Sequence, residues 1–210
     1  DAEIEYKEEA THLWHIKYQV KDSDEYLIVA TTRPETMLGD TAVAVNPEDK
    51  RYTDIVGKTC IVPIVNREIP IIADEFVETE FGTGCVKITP AHDPNDYQAG
   101  LKHKLEFIEV FDDKTIMGDL MPEVKGMKAI EARKIIVKKL EELGALVSIE
   151  DYTHNVGKCE RCKTTIEPRI SEQWFVKMKE LAKPAIEAVK KEDVKFVPKR
   201  YEKTYFNWME

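Results

Sequence analysis

The sequence predicts a mixed α/β fold: a β-barrel-like core of short strands decorated with helices, then a smaller connective segment of helices and extended chain. Three observations carry this expectation. Short alternating or β-branched runs recur between residues 13 and 152 with few helical stretches among them, which argues against a doubly wound parallel sheet. After about His154 the character changes to a C-x-x-C segment, an aromatic stretch and two helical runs, so the expected division is 1–153 for the core and 154–210 for the connective piece. The length of 210 residues accommodates one large domain with such an appendage.

The elements follow in order. Leu13–Val20 alternates as a strand, Lys21–Glu25 is a polar turn, and Tyr26–Thr31 (YLIVAT) is a β-branched apolar strand, so the three form a hairpin. Thr41–Val45 is a further short strand. From Thr59 to Ile72 the apolar runs are broken by Pro63, Asn66 and Pro70, the pattern of short strands and bends. Cys85–Thr89 is a strand, Pro94–Lys104 a helix and Phe107–Phe111 a strand. Met127–Leu143 carries Ile130, Ile135, Ile136, Leu140 and Leu143 at helical spacing and stops at Gly144. Leu146–Tyr152 returns as a strand, and helices are expected near Met178–Lys190 and at the end of the chain.

Composition excludes several classes. Hydrophobic residues make up 42% and charged residues 34%, the balance of a soluble globular chain. A net charge of −9 argues against broad coating of a nucleic-acid backbone, while leaving room for a local site that holds one nucleotide end. The basic excess from Lys177 to Lys203 reads as a solvated helix face. No apolar run approaches membrane-spanning length, and the acidic N-terminus is unlike a secretory signal. The chain lacks an initiator Met and ends abruptly at Asn207-Trp208-Met209-Glu210, as a piece of a longer protein does. Cys60, Cys85, Cys159 and Cys162 form no secreted disulfide framework, so a cytoplasmic, monomeric protein without membrane association is expected.

Two stretches carry chemistry. In Thr31–Asp40 a strand runs into a helix start: Pro34 suits the first turn, and Thr32 with Glu35 has the spacing of a capping box. The free N–H groups of a helix start hold an anion or a developing oxyanion, and Thr31, Arg33 and Thr36 cluster there. A plain cap is the simpler reading of these residues alone. In Phe81–Tyr97 a tight turn, Phe81-Gly82-Thr83-Gly84, precedes a strand on which Cys85, Lys87 and Thr89 share a face. Pro94 opens the next helix, Asp93 occupies its N-cap and Asp96 lies at the same end. Lys87, Thr89, Asp93 and Asp96 are therefore expected to converge opposite Thr31–Thr36. A carboxylate there grips an ammonium; the lysine binds a phosphate or polarises a carbonyl. His92 reads equally well as a satisfied structural histidine, and Cys85 as a small core residue with no base beside it. No Ser-His-Asp arrangement is visible, so water is the expected attacker in any hydrolysis.

Together these stretches resemble the inserted editing domain of the class I aminoacyl-tRNA synthetases, across essentially the whole chain. The isoleucine type reads T-T-T-P-W-T where this chain has Thr31-Thr32-Arg33-Pro34-Glu35-Thr36, and the leucine type reads T-T-R-P-D-T-L-F-G. Glu35–Val43, Val86–Asp93 and Ile170–Met178 look like the valine type. The resemblance implies post-transfer editing, that is, hydrolysis of the ester of threonyl-tRNA(Val), with threonyl-adenylate as a second candidate substrate. The implied partner is the 3′ CCA end of tRNA(Val). Asp96 is then expected to bind the α-ammonium, and Thr31, Arg33, Thr36, Lys87, Thr89 and Asp93 to line the pocket. Phe81 and the Gly82–Thr83 turn are expected to meet the terminal adenosine, by stacking on the aromatic ring. Asp96, Lys87 and Asp93 are the candidate catalytic groups; Thr32 and His92 complete the binding set. The activation signatures H-I-G-H and K-M-S-K-S are absent, so no aminoacylation is expected from this chain. The alternatives are a non-catalytic module for the tRNA 3′ end and the leucine or isoleucine editing domain. Cys159-Glu160-Arg161-Cys162 has the spacing of half a zinc site. In the family other ligands come from elsewhere in the protein, so no cofactor is expected on this chain.

Overall fold

A computed structural model describes residues 3–80, 82–172 and 174–209. The chain divides into two compact units, residues 1–170 and 171–210.

The first unit is a strongly bent sheet of seven strands: β1 (Ile4–Val20), β2 (Tyr26–Thr31), β3 (Ala42–Val45), β4 (Thr59–Val62), β5 (Arg67–Ala73), β6 (Cys85–Ile88) and β7 (Leu146–Cys159). The order is β2-β1-β4-β5-β3-β6, with β7 added along β1 from Ile4 to Ile16; only β3 and β5 run parallel. β6 comes back beside β2 without a ladder between them, so the sheet is a nearly closed barrel with one open seam.

The β1–β2 hairpin forms as expected, with Trp14 opposite Thr31 and Gln19 opposite Tyr26. Gln19 Nε2 donates to the carbonyls of Ser23 and Glu25 and ties the turn. Alternate residues Ile16, Tyr18 and Val20 of β1 and Leu27, Val29 and Thr31 of β2 point inward. β3 is buried throughout because both its faces are covered: Val43 and Val45 pack into one apolar cluster and Ala42 and Ala44 into another. Helix α2 (Ala129–Glu142) covers the core with Ala132, Ile136 and Leu140. Burying the last two contributes about 1.5–3 kcal/mol each.

Several boundaries differ from expectation. β1 starts at Ile4 rather than Leu13, and β7 runs on past Tyr152 to Cys159, because the two pair from Ile4–Cys159 to Ile16–Leu146 as one long ribbon. The 153/154 boundary expected from sequence falls inside β7, whereas the compact units separate after Ile170. Phe107–Phe111 is not a strand; Phe111 makes a single bridge to Met117. Ile130 of α2 and Leu143, just past its end, face solvent, and Ala129 and Ala132 take their place inward. The segment after Thr31 is a six-residue 3₁₀ helix, Pro34–Gly39, not an α-helix. The expected capping box does not form there. Thr31 Oγ1 accepts from the Arg33 N–H (3.0 Å), while Glu35 turns inward to Arg133. Helix α1 (Pro94–His103) ends at Lys104, which takes a left-handed conformation (φ 55°).

The second unit holds α3 (Met178–Lys190) and α4 (Tyr201–Met209), with Phe196 against Tyr205 at 5.0 Å between ring centroids. Among the described residues no helix is long and apolar enough to cross a membrane.

Candidate functional site

The open seam between β2 and β6 is where the chemistry gathers. A cavity of about 340 Å³ lies there, walled by Ala30 and Thr31 of β2, Val86 and Lys87 of β6, the 3₁₀ segment and the start of α1. Thr31, Thr32, Arg33, Thr36, Lys87, Thr89, His92, Asp93 and Asp96 all line it. The convergence expected from the sequence is therefore present, with Arg33 and Asp96 on one cavity.

The start of α1 is built by Asp93. Its Oδ1 accepts from the N–H groups of Asn95 (2.8 Å) and Asp96 (3.2 Å), with Pro94 in the first turn. That cap holds Asp96 inward, 7% exposed, where Oδ2 accepts the Thr89 N–H (2.8 Å). Oδ1 of Asp96 has no hydrogen bond among the described residues. Burial pushes the Asp96 carboxyl up to about 7; Lys87 opposes the rise and Asp93 adds to it.

Lys87 is the centre of a buried polar network. Its Nζ donates to Thr36 Oγ1 (3.0 Å), Asp40 Oδ1 (3.1 Å) and Thr89 Oγ1 (2.6 Å), which uses all three of its protons. Asp40 is fully buried and also accepts from Thr89 Oγ1 (2.5 Å) and Tyr18 Oη (2.6 Å). Burial raises the Asp40 carboxyl, against the pull of Lys87, Thr89 and Tyr18.

Arg33 stands at the cavity wall. Nη1 donates to the His92 carbonyl (3.0 Å), Nη2 pairs with Glu167, and the buried Nε has no partner among the described residues. Burial raises the Glu167 carboxyl, against the pull of Arg33; Glu35 adds to the rise and Arg133 opposes it, these two being joined by a two-bonded fork of 2.8 and 2.7 Å.

His92 is the structural histidine. Its Nε2 accepts from the Val110 N–H (2.8 Å), so the proton sits on Nδ1, facing the Pro168 carbonyl at 3.4 Å. Burial lowers it to about 4, and the ring is neutral at pH 7. Cys85 is buried and its thiol is pushed up to about 11, which is the state of a core residue rather than a nucleophile. Gly82 and Thr83 do not line the cavity. Gly82 (φ +57°) packs near Ala30 on its rim, and the Thr83 carbonyl accepts from Tyr52 Oη at 2.7 Å. Phe81 lies outside the described residues.

Sequence reasoning missed Tyr18, Asp40 and Glu167, and also the rim: Phe76, Tyr152 and His154, the last two with ring centroids 5.8 Å apart. A larger cleft of about 610 Å³ adjoins the site, sharing Thr32, Arg33 and His154 with it. Cys159 and Cys162 lie away from the site, at the end of the β1–β7 ribbon. Hydrogen bonding with Thr164, then Cys159, pulls the Cys162 thiol down to about 7. Two thiolates fit half of a tetrahedral zinc set; among the described residues no group of three or more ligating side chains gathers.

Sequence similarity to known proteins runs the whole length of the chain, the cavity residues included. Residues 1–210 fit the family model of the class I tRNA synthetases (I, L, M and V), and the chain belongs to that family. It is similar to valine–tRNA ligases: 60% identical to that of Clostridium tetani over 210 residues and 59% to that of Thermotoga maritima over 209. In both cases the whole chain is covered but only 24% of the relative, so the chain spans about a quarter of their length. In fold it resembles a LeuRS of Agrobacterium radiobacter K84, solved as a ternary LeuRS-tRNA-LeuAMS complex, with a TM-score of 0.53 at 19% identity. That likeness covers 83% of this chain and 28% of the other.

Proposed function

We propose that the seam cavity hydrolyses the ester linking threonine to the terminal ribose of tRNA(Val). The convergence of Lys87, Thr36, Thr89, Asp93 and Asp96 on one cavity carries this reading. The α-ammonium meets the free oxygen of Asp96. The threonine hydroxyl meets Thr36 and Thr89, and Asp93 flanks it at the same helix start. Arg33, with its idle Nε, faces the ester and ribose. Phe76, Tyr152 and His154 offer faces on which the terminal adenine stacks, and the adjoining cleft gives the preceding nucleotides a path.

The physical need for such a site is clear. A pocket shaped for valine cannot strongly reject threonine, its near-isostere; the valine enzyme is itself the standard illustration, with discrimination of about 10²-fold. A second site that hydrogen-bonds the hydroxyl inverts the preference, because valine leaves buried groups unpaired at about 1–3 kcal/mol each. Water attacks the carbonyl, and the site contributes positioning and charge.

The test compares the half-life of threonyl-tRNA(Val) and valyl-tRNA(Val) with and without the chain. Selective loss of the threonyl ester is expected, abolished by Asp96→Ala with the fold intact. Binding without hydrolysis identifies a passive 3′-end module instead. Clearance of a misacylated leucine or isoleucine tRNA in preference identifies one of the other editing types.

A further inference from the structure

Asp40 never reaches the cavity. It is fully buried behind the floor and does not line the cavity, yet it bonds two of the three groups that form the floor, Lys87 and Thr89 but not Thr36. Counting protons there gives a definite result. A hydroxyl has one proton and two lone pairs, and an ammonium has three protons. The Thr89 proton goes to Asp40 Oδ1 (2.5 Å) and the Thr36 proton to the Arg33 carbonyl (3.0 Å). The protons of Lys87 go to Thr36, Thr89 and Asp40, so Lys87 also takes up one lone pair on each threonine. What remains is one unshared lone pair on each hydroxyl and no free donor. Arg67 Nη1 holds the backbone carbonyls of Leu38 (2.9 Å) and Asp40 (3.2 Å), and Tyr18 Oη fixes Oδ2 at 2.6 Å. The carboxylate is therefore clamped in the orientation that draws these protons away from the cavity.

We propose that Asp40 is a positioning residue that sets the hydrogen-bond polarity of the cavity floor, making it a receptor for an amino-acid side chain that donates a proton. This deepens the reading of the site as a threonyl-ester hydrolase and rests on it. The floor selects a hydroxyl as a donor, not merely as a small polar group.

The experiment measures equilibrium binding of non-hydrolysable 3′-aminoacylamino-adenosines to the chain. Three analogues carry threonine, valine, and a side chain in which fluorine replaces the threonine hydroxyl. The fluorine is compact and lacks a proton. The threonine analogue is expected to bind about tenfold tighter than the other two, which bind alike. In Asp40→Ala, Thr89 and Lys87 turn free protons toward the cavity, and the threonine preference falls to about two- or threefold. Asp40→Asn keeps an acceptor in place and retains most of the preference. Tyr18→Phe loosens the clamp and lowers the preference with less risk to folding, so it decides the matter if Asp40→Ala fails to fold. A fluoro analogue that binds as tightly as threonine overturns the proposal, as does a preference unchanged in a folded Asp40→Ala or in Tyr18→Phe. A merely structural role for Asp40 weakens all three ligands equally. Hydrolysis of threonyl-tRNA by the unmodified chain is measured beside this. Its absence overturns the esterase reading while the binding ratios still report on the floor.

Discussion

Replacing Asp96 by Asn separates what this carboxyl costs the fold from what it gives the site. The side chain keeps its shape, and the amide oxygen still accepts the Thr89 N–H now held at 2.8 Å. The titration is lost, together with the negative charge that faces Lys87. Burial moves the Asp96 carboxyl from 3.8 to about 7, which corresponds to about 4 kcal/mol of folding free energy. The sign is fixed by linkage: between those values the folded chain keeps a proton that the unfolded chain has lost, so stability falls as pH rises from about 4 to about 7. Asp96→Asn removes that fall. Denaturant unfolding at pH 8 is expected to show a gain approaching about 4 kcal/mol, shrinking to nothing near pH 4.

Function runs the opposite way. Only the ionised carboxyl attracts an ammonium, so kcat/KM for threonyl-tRNA should climb through an acid limb near 7, the value of the free protein. It should decline again above about 8 as the substrate's α-amino group loses its proton. Asp96→Asn loses the acid limb and most of the activity while being the more stable protein. A variant that is no more stable at pH 8, or one that keeps an acid limb near 7, refutes the assignment of that ionisation to Asp96.

Two further substitutions test the frame that holds the site. Arg133→Ala strands Glu35, 1% exposed, without its two-bonded partner; a loss of about 3–5 kcal/mol is expected in denaturant unfolding, largely recovered when Glu35 is also made apolar. Gly39→Ala sets a methyl 2.6 Å from Val110 Cγ2 and 2.9 Å from the Ile108 carbonyl, so a cost of about 1–3 kcal/mol and a lower melting temperature are expected.

The hairpin, α1 with its Asp93 cap and the composition of the cavity were legible because each rests on local signals: alternation, a proline in the first turn, an acid just before it. The first half of β1 was not legible. From Ile4 to Thr11 it forms a ribbon with β7 that is wet on both faces, so no alternation of apolar residues marks it. The capping box failed because Glu35 finds a stronger partner 98 residues away, a contact no local rule foresees. Glu167 escaped for the same reason: its value to Arg33 depends on how the chain returns after β7. Asp40 was inside the motif but looked like the residue after a helix, and only the arrival of Tyr18 and Lys87 gives it work.

The open seam explains why these residues meet. In a closed barrel β2 and β6 would satisfy each other's edges and fill the space between them with apolar side chains. Here the 3₁₀ segment leaves the end of β2 and α1 follows closely after β6, so the two edges diverge and polar side chains occupy the gap. A buried lysine and two buried acids are expensive in such a place unless each is bonded. Lys87 and Asp40 answer each other directly, at 3.1 Å. Asp96 feels Lys87 only at a distance: among the described residues no cation bonds its carboxyl, which burial holds near 7. Under the proposed function a ligand ammonium supplies the missing partner, so a group the fold leaves incompletely paired is the one expected to meet the substrate.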